Sequence, residues 1–143
     1  MDFQTAVKTC FSKYVTFEGR AARSEYWWFT LFNVAGQILL GVVDIAVLGM
    51  TEITPLSSLF ALALFLPGIS VTVRRLHDKD RSGWWFWIVL VPIIGWLLML
   101  YWMVTPGTAG ANRFGPDPLD GAGGDWAQPD EDYAPSSIPR VDN

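Results

Sequence analysis

The residues of this chain best suited to chemistry form a cationic run, Arg74-Arg75-Leu76-His77-Asp78-Lys79-Asp80-Arg81, with two more arginines upstream at Arg20 and Arg23. Cations beside a bilayer attract anionic head groups, at roughly 1 kcal/mol per charge. The planar guanidinium fork suits two-point contact with phosphate. Arg20, Arg23, Arg74, Arg75, His77 and Arg81 are therefore the candidate residues for an anionic ligand or lipid. The plainer reading of the same run is a topology signal with local ion pairs to Glu25, Asp78 and Asp80, and positive-inside bias alone favours it. His77 is the sole histidine and Cys10 the sole cysteine. Structural zinc takes four ligands at recognisable spacing, so no metal site is expected. A lone cysteine forms no intrachain disulfide.

A second polar set lies in apolar surroundings. Asn33, Gln37 and Asp44 fall within about 40° of one another at the helical period, and so share one face. Polar groups inside a bilayer turn toward protein or water. They would line a proton or cation path, or, more simply, make helix–helix hydrogen bonds. A third set, Asn112-Arg113-Phe114-Gly115-Pro116-Asp117-Pro118, reads as a compact cap in which Arg113 and Asp117 pair across a Gly-Pro turn. Nothing has the makings of a nucleophilic triad or of a phosphate loop followed by lysine. No catalytic residue, no cofactor and no enzyme activity are expected. Basic residues interleaved with Trp mark a membrane boundary here, so nucleic acid is not an expected partner.

The elements that must position these residues follow from hydropathy. Of 143 residues 51% are hydrophobic and only 17% charged, against about 25% charged in soluble domains. The net charge of −4 conceals a division. Residues 119–143 hold six acids and one arginine, and the rest of the chain sums to +1. Residues 3–15 read as an amphipathic helix, with Phe3, Ala6, Val7, Cys10, Phe11 and Tyr14 on one side. It lies on the inner bilayer surface or packs on the protein. No cleavable signal is expected, because Lys8, Lys13, Arg20 and Arg23 precede the first long apolar run.

Three apolar stretches follow, at about 26–50, 56–73 and 84–104, each of roughly the 17–25 residues that span a bilayer. Pro55 is placed to open the second helix. Ser24 and Ser82 precede similar aromatic runs, Tyr26-Trp27-Trp28-Phe29 and Trp84-Trp85-Phe86, and both read as N-caps. The fold expected is an all-α membrane protein of about three transmembrane helices. It comprises a membrane domain over 1–118, closed by a Gly/Pro-rich cap at 105–118, and a disordered acidic tail over 119–143. Three spans with the N-terminus in the cytoplasm put eight of the ten basic residues inside, as expected. The cap with Asn112, Arg113 and Asp117, and the tail, would then lie outside the cytoplasm. Pro92 and Gly95 interrupt the third stretch, so a re-entrant hairpin is the alternative.

The motifs Gly19-Arg20, Arg23-Ser24-Glu25-Tyr26-Trp27-Trp28, Arg74-Arg75-Leu76-His77-Asp78, Arg81-Ser82-Gly83-Trp84-Trp85 and Asn112-Arg113-Phe114-Gly115-Pro116-Asp117-Pro118 resemble the domain of unknown function 805 family. The resemblance covers about residues 3–118. It implies a small bacterial inner-membrane protein and carries no established activity. The function expected is a non-catalytic membrane module that binds anionic lipid head groups or a partner protein through a basic cytoplasmic face. The alternative is a subunit of an oligomeric ion or small-solute transporter, since three helices enclose little space alone.

Overall fold

A computed structural model describes residues 1–49 and 52–119; the acidic tail over 120–143 lies outside the described residues. The described chain is helical, apart from one isolated bridge between Asn112 and Gly115. The elements are α1 (Phe3–Ser12), α2 (Arg23–Ala46), α3 (Pro55–Asp78), a 3-10 segment (Gly83–Leu90) and α4 (Ile94–Val104).

Two helices, α2 and α3, are long and apolar enough to cross a membrane, at 24 residues each. At 1.5 Å per residue that is about 36 Å, enough for a hydrocarbon core of about 30 Å. They pack antiparallel, and their outer faces are left to lipid: Val34, Ile38, Val42 and Ile45 on α2, and Leu59, Leu62, Phe65 and Leu66 on α3, are exposed. A Cβ on Gly36 would overlap the Phe60 ring, so the bare backbone there permits close approach.

The helix starts and ends differ from expectation in two ways. Pro55 opens α3, as its position predicts. Beyond residue 73, however, the helix continues through Asp78, so Arg74, Arg75, His77 and Asp78 are helical residues and not a loop. It ends where Asp80 takes a left-handed conformation, with Arg81 N donating to Leu76 O (3.0 Å) and Asp80 N to His77 O (2.9 Å). That closure satisfies orphan carbonyls without a glycine, because Asp tolerates positive φ. Ser82 caps the 3-10 segment as expected, accepting from Trp84 N. Ser24 does not cap α2: Ala22 holds the cap position, and Ser24 is already helical.

The third apolar stretch is not one spanning helix. Trp and β-branched residues crowd a helical turn, and Pro92 disfavours helical backbone at Val91. The 3-10 segment therefore stops at Leu90, and Ile93 makes a γ-turn with φ 66° and ψ −68°, closed by Ile94 N to Pro92 O at 2.8 Å. The chain then returns as α4. Trp85 packs edge-on to Trp102 with centroids 5.7 Å apart, and Trp96 Nε1 donates to Val89 O at 2.9 Å. A side chain on Gly95 would run into the Ile88 carbonyl. At about 2.0 Å per residue in a 3-10 helix and 1.5 Å in an α-helix, each arm reaches about 16 Å, half of a bilayer core. Trp84, Trp87 and Leu90 recur every third residue and are exposed together, the eclipsed face of a 3-10 helix turned to lipid. The hairpin returns the chain to the end it left, so residues 105–117 lie beside the Arg74–Arg81 end of α3. The single helix expected over about 84–104 is thus a hairpin, and the cap packs against the end of α3 that carries Arg74 and Arg75.

The N-terminal arm packs on the protein. Ala6 and Cys10 are fully buried, and Phe11 meets Phe29 and Phe32 edge-on. Pro67 sits inside α3 and is buried. It has no N–H, so the Ala63 carbonyl lacks its helical donor. The Tyr14 hydroxyl donates to Ala63 O instead, and Ser70 Oγ donates to Lys13 O at 3.0 Å. Tyr14→Phe should therefore orphan a carbonyl at membrane depth, at a cost of about 1–3 kcal/mol. Thermal unfolding in mild detergent measures it, and an unshifted midpoint would refute the assignment.

Candidate functional site

The arginines expected to bind an anion from outside are instead the core of the basic end. Two turns of α3 aim Arg74 and Arg75 inward, where both are fully buried. Arg74 Nη1 donates to Glu25 Oε1 at 2.6 Å; Glu25 comes from the first turn of α2. Arg75 Nη1 pairs with Asp78 Oδ2 one turn on, and its Nη2 donates to Thr105 O. Arg20, in the connection between α1 and α2, reaches the same carboxylate, with Nε to Asp78 Oδ1 at 3.0 Å and Nη2 at 2.9 Å. Its remaining donors meet the carbonyls of Thr108 and Gly110. Three arginines and two carboxylates thus close α2, α3 and the returning cap into one cluster. Cations at the C-terminal end of α3 also suit its dipole. Three donors in the cluster have no acceptor among the described residues: Arg74 Nε, Arg74 Nη2 and Arg75 Nε.

The cap is stitched to this end by backbone. Thr108 N donates to Asp78 O at 2.7 Å, Asn112 Nδ2 to His77 O at 2.9 Å, and Lys79 Nζ to Pro106 O at 2.7 Å. Burial, with Arg75 and Arg81 nearby, pushes Lys79 below its ordinary value. His77 faces the Gly19 carbonyl through Nδ1 (3.0 Å) and stacks on Phe114, with ring centroids 4.0 Å apart and planes 3° from parallel. A Cβ at Gly107 would overlap the Asp78 carboxylate, so only glycine lets the chain pass there. Arg81 lies over the Trp102 ring at 4.4 Å, and Arg23 Nη1 donates to Val104 O at 3.2 Å.

The other expected sites resolve differently. Arg113 and Asp117 do not pair. Arg113 meets Asp80 at 3.2 Å, both exposed. Asp117 accepts from Leu119 N and Gly110 N, each at 2.9 Å, which holds its carboxyl below the ordinary value. Of the polar face on α2, Asp44 is buried and accepts from Leu56 N, Ser57 N and Ser57 Oγ at 2.9–3.1 Å. It is the N-cap that Thr54 does not supply to α3. Asn33 and Gln37 are half-buried, and among the described residues neither side chain joins a hydrogen-bonded path to Asp44. Cys10 faces Glu25 Oε1 at 3.7 Å, and burial, then Glu25, pushes its thiol up to about 12. Among the described residues no group of three His, Cys, Asp or Glu is placed to hold a metal ion.

The residue types along the chain did not single out the carbonyls of Thr105, Thr108 and Gly110 as partners of Arg20 and Arg75. Any residue carries a carbonyl, so composition holds no signal for them. Glu25 and Asp78 carried a signal, as buried-side acids next to cationic runs.

Beside the cluster lies a cavity of about 590 Å³, between the first turn of α2 (Ala22, Arg23, Ser24, Trp27) and the cap from Pro106 to Ala109; Arg75, Asp78 and Asp117 complete its polar wall.

Two apolar helices long enough to cross a bilayer, a half-depth hairpin and an arginine–carboxylate lock joining them at one end define a small integral membrane protein. The chain belongs to the family described as Protein of unknown function (DUF805), whose model matches residues 14–116. It is 49% identical over 109 residues to Inner membrane protein YhaI of Escherichia coli K12, covering 76% of this chain and 91% of that protein. Inner membrane protein YhaH of the same organism is 45% identical over 108 residues, 73% and 88% of the two chains. Uncharacterized protein YiiR is 34% identical over 103 residues, 64% and 60%. No solved structure matches. The chain is thus a multi-pass protein of the bacterial inner membrane.

Proposed function

We propose that this protein is a non-catalytic membrane module that crosses the inner membrane twice and presents a cationic cytoplasmic face to anionic lipid head groups. One observation carries the reading: the hairpin gathers nine of the ten basic residues at a single end, Arg113 included, where three crossings would have left eight. Positive-inside bias puts that end in the cytoplasm together with the N-terminus and the cap. Residues 120–143 contain no apolar stretch able to span, so the acidic tail stays on that side too. Arg20, Arg74 and Arg75 are consumed by carboxylates, and the lipid-facing charges are the remainder. Lys8 and Arg23 are exposed, Lys13, Lys79 and Arg81 are half-buried, and none of the five has an acidic partner among the described residues. Trp27, Trp28, Trp84 and Trp85, exposed near the same end, suit the interfacial belt. A second copy or an acidic membrane protein is the other class of partner such a face would accept. A transporter subunit has less support, because the Asp44 carboxylate is committed to capping α3.

Two measurements test this. In a Cys10→Ala background, Asp80→Cys and Thr108→Cys should both resist impermeant maleimide in intact spheroplasts, whereas Glu52→Cys should react. Reaction of Thr108→Cys alone would restore three crossings. Native mass spectrometry should show phosphatidylglycerol retained over phosphatidylcholine. The Lys8→Ala/Lys79→Ala/Arg81→Ala variant should lose about 1 kcal/mol per charge, roughly a hundredfold in all. An unchanged lipid profile would count against the proposal.

A further inference from the structure

Three cations at the basic end lack an acidic partner among the described residues, and they converge on one stretch of chain. Arg23 Nη1 donates to Val104 O at 3.2 Å, Lys79 Nζ donates to Pro106 O at 2.7 Å, and the Arg81 guanidinium lies 4.4 Å over the Trp102 ring. They form a cationic rim around the five residues from Trp102 to Pro106, where the hairpin passes into the cap. Arg23 is exposed and the other two are half-buried, and each keeps donors with no acceptor among the described residues. Burial, then like charge from Arg75 and Arg81, lowers the Lys79 ammonium below its ordinary value. An anion beside the rim would relieve that repulsion.

The anion closest at hand is the chain's own. The cap ends beside the rim: Leu119 N donates to Asp117 Oδ1 at 2.9 Å, and Leu119 lines the same cavity as Arg23 and Pro106. Residues 120–132, outside the described residues, hold five acids and no basic residue, and three of the acids are consecutive, Asp130-Glu131-Asp132. Twelve residues separate Leu119 from Glu131 and extend to about 40 Å, so the triplet can reach every side of the rim. The surface it meets is opposite in sign. Nine basic residues stand at this end against six acids, since Asp44 and Glu52 lie at the other, which leaves a surplus of three positive charges. A tethered segment also competes at an effective concentration of about millimolar, and blocks of acids commonly serve as interaction tails. We propose that Asp130-Glu131-Asp132 docks in cis on the rim of Arg23, Lys79 and Arg81 and competes there with anionic lipid. The proposal rests on the head-group reading above for the side on which the tail lies and for the ligand that it displaces.

Two measurements on the full chain in neutral detergent test it. Carbodiimide coupling joins an amine to a carboxylate only where they touch, and Lys79 is one of just three lysines. An amide between Lys79 and residues 130–132 is expected at the mass of a single chain, and should be lost at high salt. Native mass spectrometry then compares the parent with Asp130→Asn/Glu131→Gln/Asp132→Asn, which keeps length and shape and removes the charge. Exposed ion pairs contribute a factor of about two each. Three of them lower the unoccupied fraction of the rim, and so the apparent lipid affinity, by roughly tenfold. The variant should therefore bind phosphatidylglycerol roughly tenfold more tightly. Absence of the Lys79 amide overturns the docking. An amide found only at the mass of two chains overturns it as well, and makes the occupant a second copy. Where the parent selects phosphatidylglycerol, equal affinity in the variant overturns the competition. A single-chain amide with no lipid selection in either form supports the docking and is a failure of the head-group reading alone.

Discussion

Asp78→Asn will destabilise the folded chain by about 3–5 kcal/mol, the range for removing one partner of a buried ion pair. The amide keeps the shape of the carboxylate and removes its charge. Arg20 and Arg75 are then left as buried cations facing each other across a neutral group, since Asp78 is their shared anion. The effect should exceed that of an ordinary pair, because the same carboxylate joins the α1–α2 connection to the end of α3, and the Asp78 carbonyl holds the cap through Thr108 N. Denaturant titration in detergent micelles reads the loss. Asp80→Asn is the control: it breaks the exposed pair with Arg113, and such pairs contribute about 0–1 kcal/mol. Equal effects at the two positions would mean that burial of the cluster is not what holds this end together.

Gly95→Ala is the second large effect, and its direction opposes helix propensity. Alanine is favoured over glycine in helices by about 1 kcal/mol, and Gly95 lies in the first turns of α4. Here the added methyl would meet a backbone carbonyl, that of Ile88, which cannot swing aside as a side chain would. The two arms must part, which undoes the Trp85–Trp102 contact and loosens the cap beyond Val104. We expect a loss of about 1–3 kcal/mol or more, in the range of forced overpacking. Gly41→Ala in α2 has open space around it and should be neutral or stabilising. If Gly95→Ala behaves like Gly41→Ala, the hairpin is not formed as described.

Much of the fold was legible in the chain's order of residues. The apolar stretches that become α2 and α3, Pro55 at a helix start and Ser82 at another follow from local rules, and those rules hold where neighbours in sequence are neighbours in space. Ser24 shows how such rules fail. It resembles Ser82 in context, yet the helix begins earlier because the strap 20–22 is held by Arg74 O through Ala21 N. The end of α3 was misplaced for a related reason. Arg74 and Arg75 look like a solvated loop until Glu25 and Asp78 bury them within the helix.

Composition and hydropathy are properties of single residues, summed over a window. They determined by themselves that the chain partitions into a membrane, that it holds apolar stretches long enough to cross it, and that its cations gather at helix ends. Whether the third apolar run crosses or turns back is a matter of pairing. It depends on contacts such as Gly95 with Ile88, and Arg20 with the carbonyls of Thr108 and Gly110, about 90 residues away in the chain. The tertiary structure alone decided which arginines are spent inside and which have no acidic partner among the described residues, because a buried charge must find its counter-charge in three dimensions.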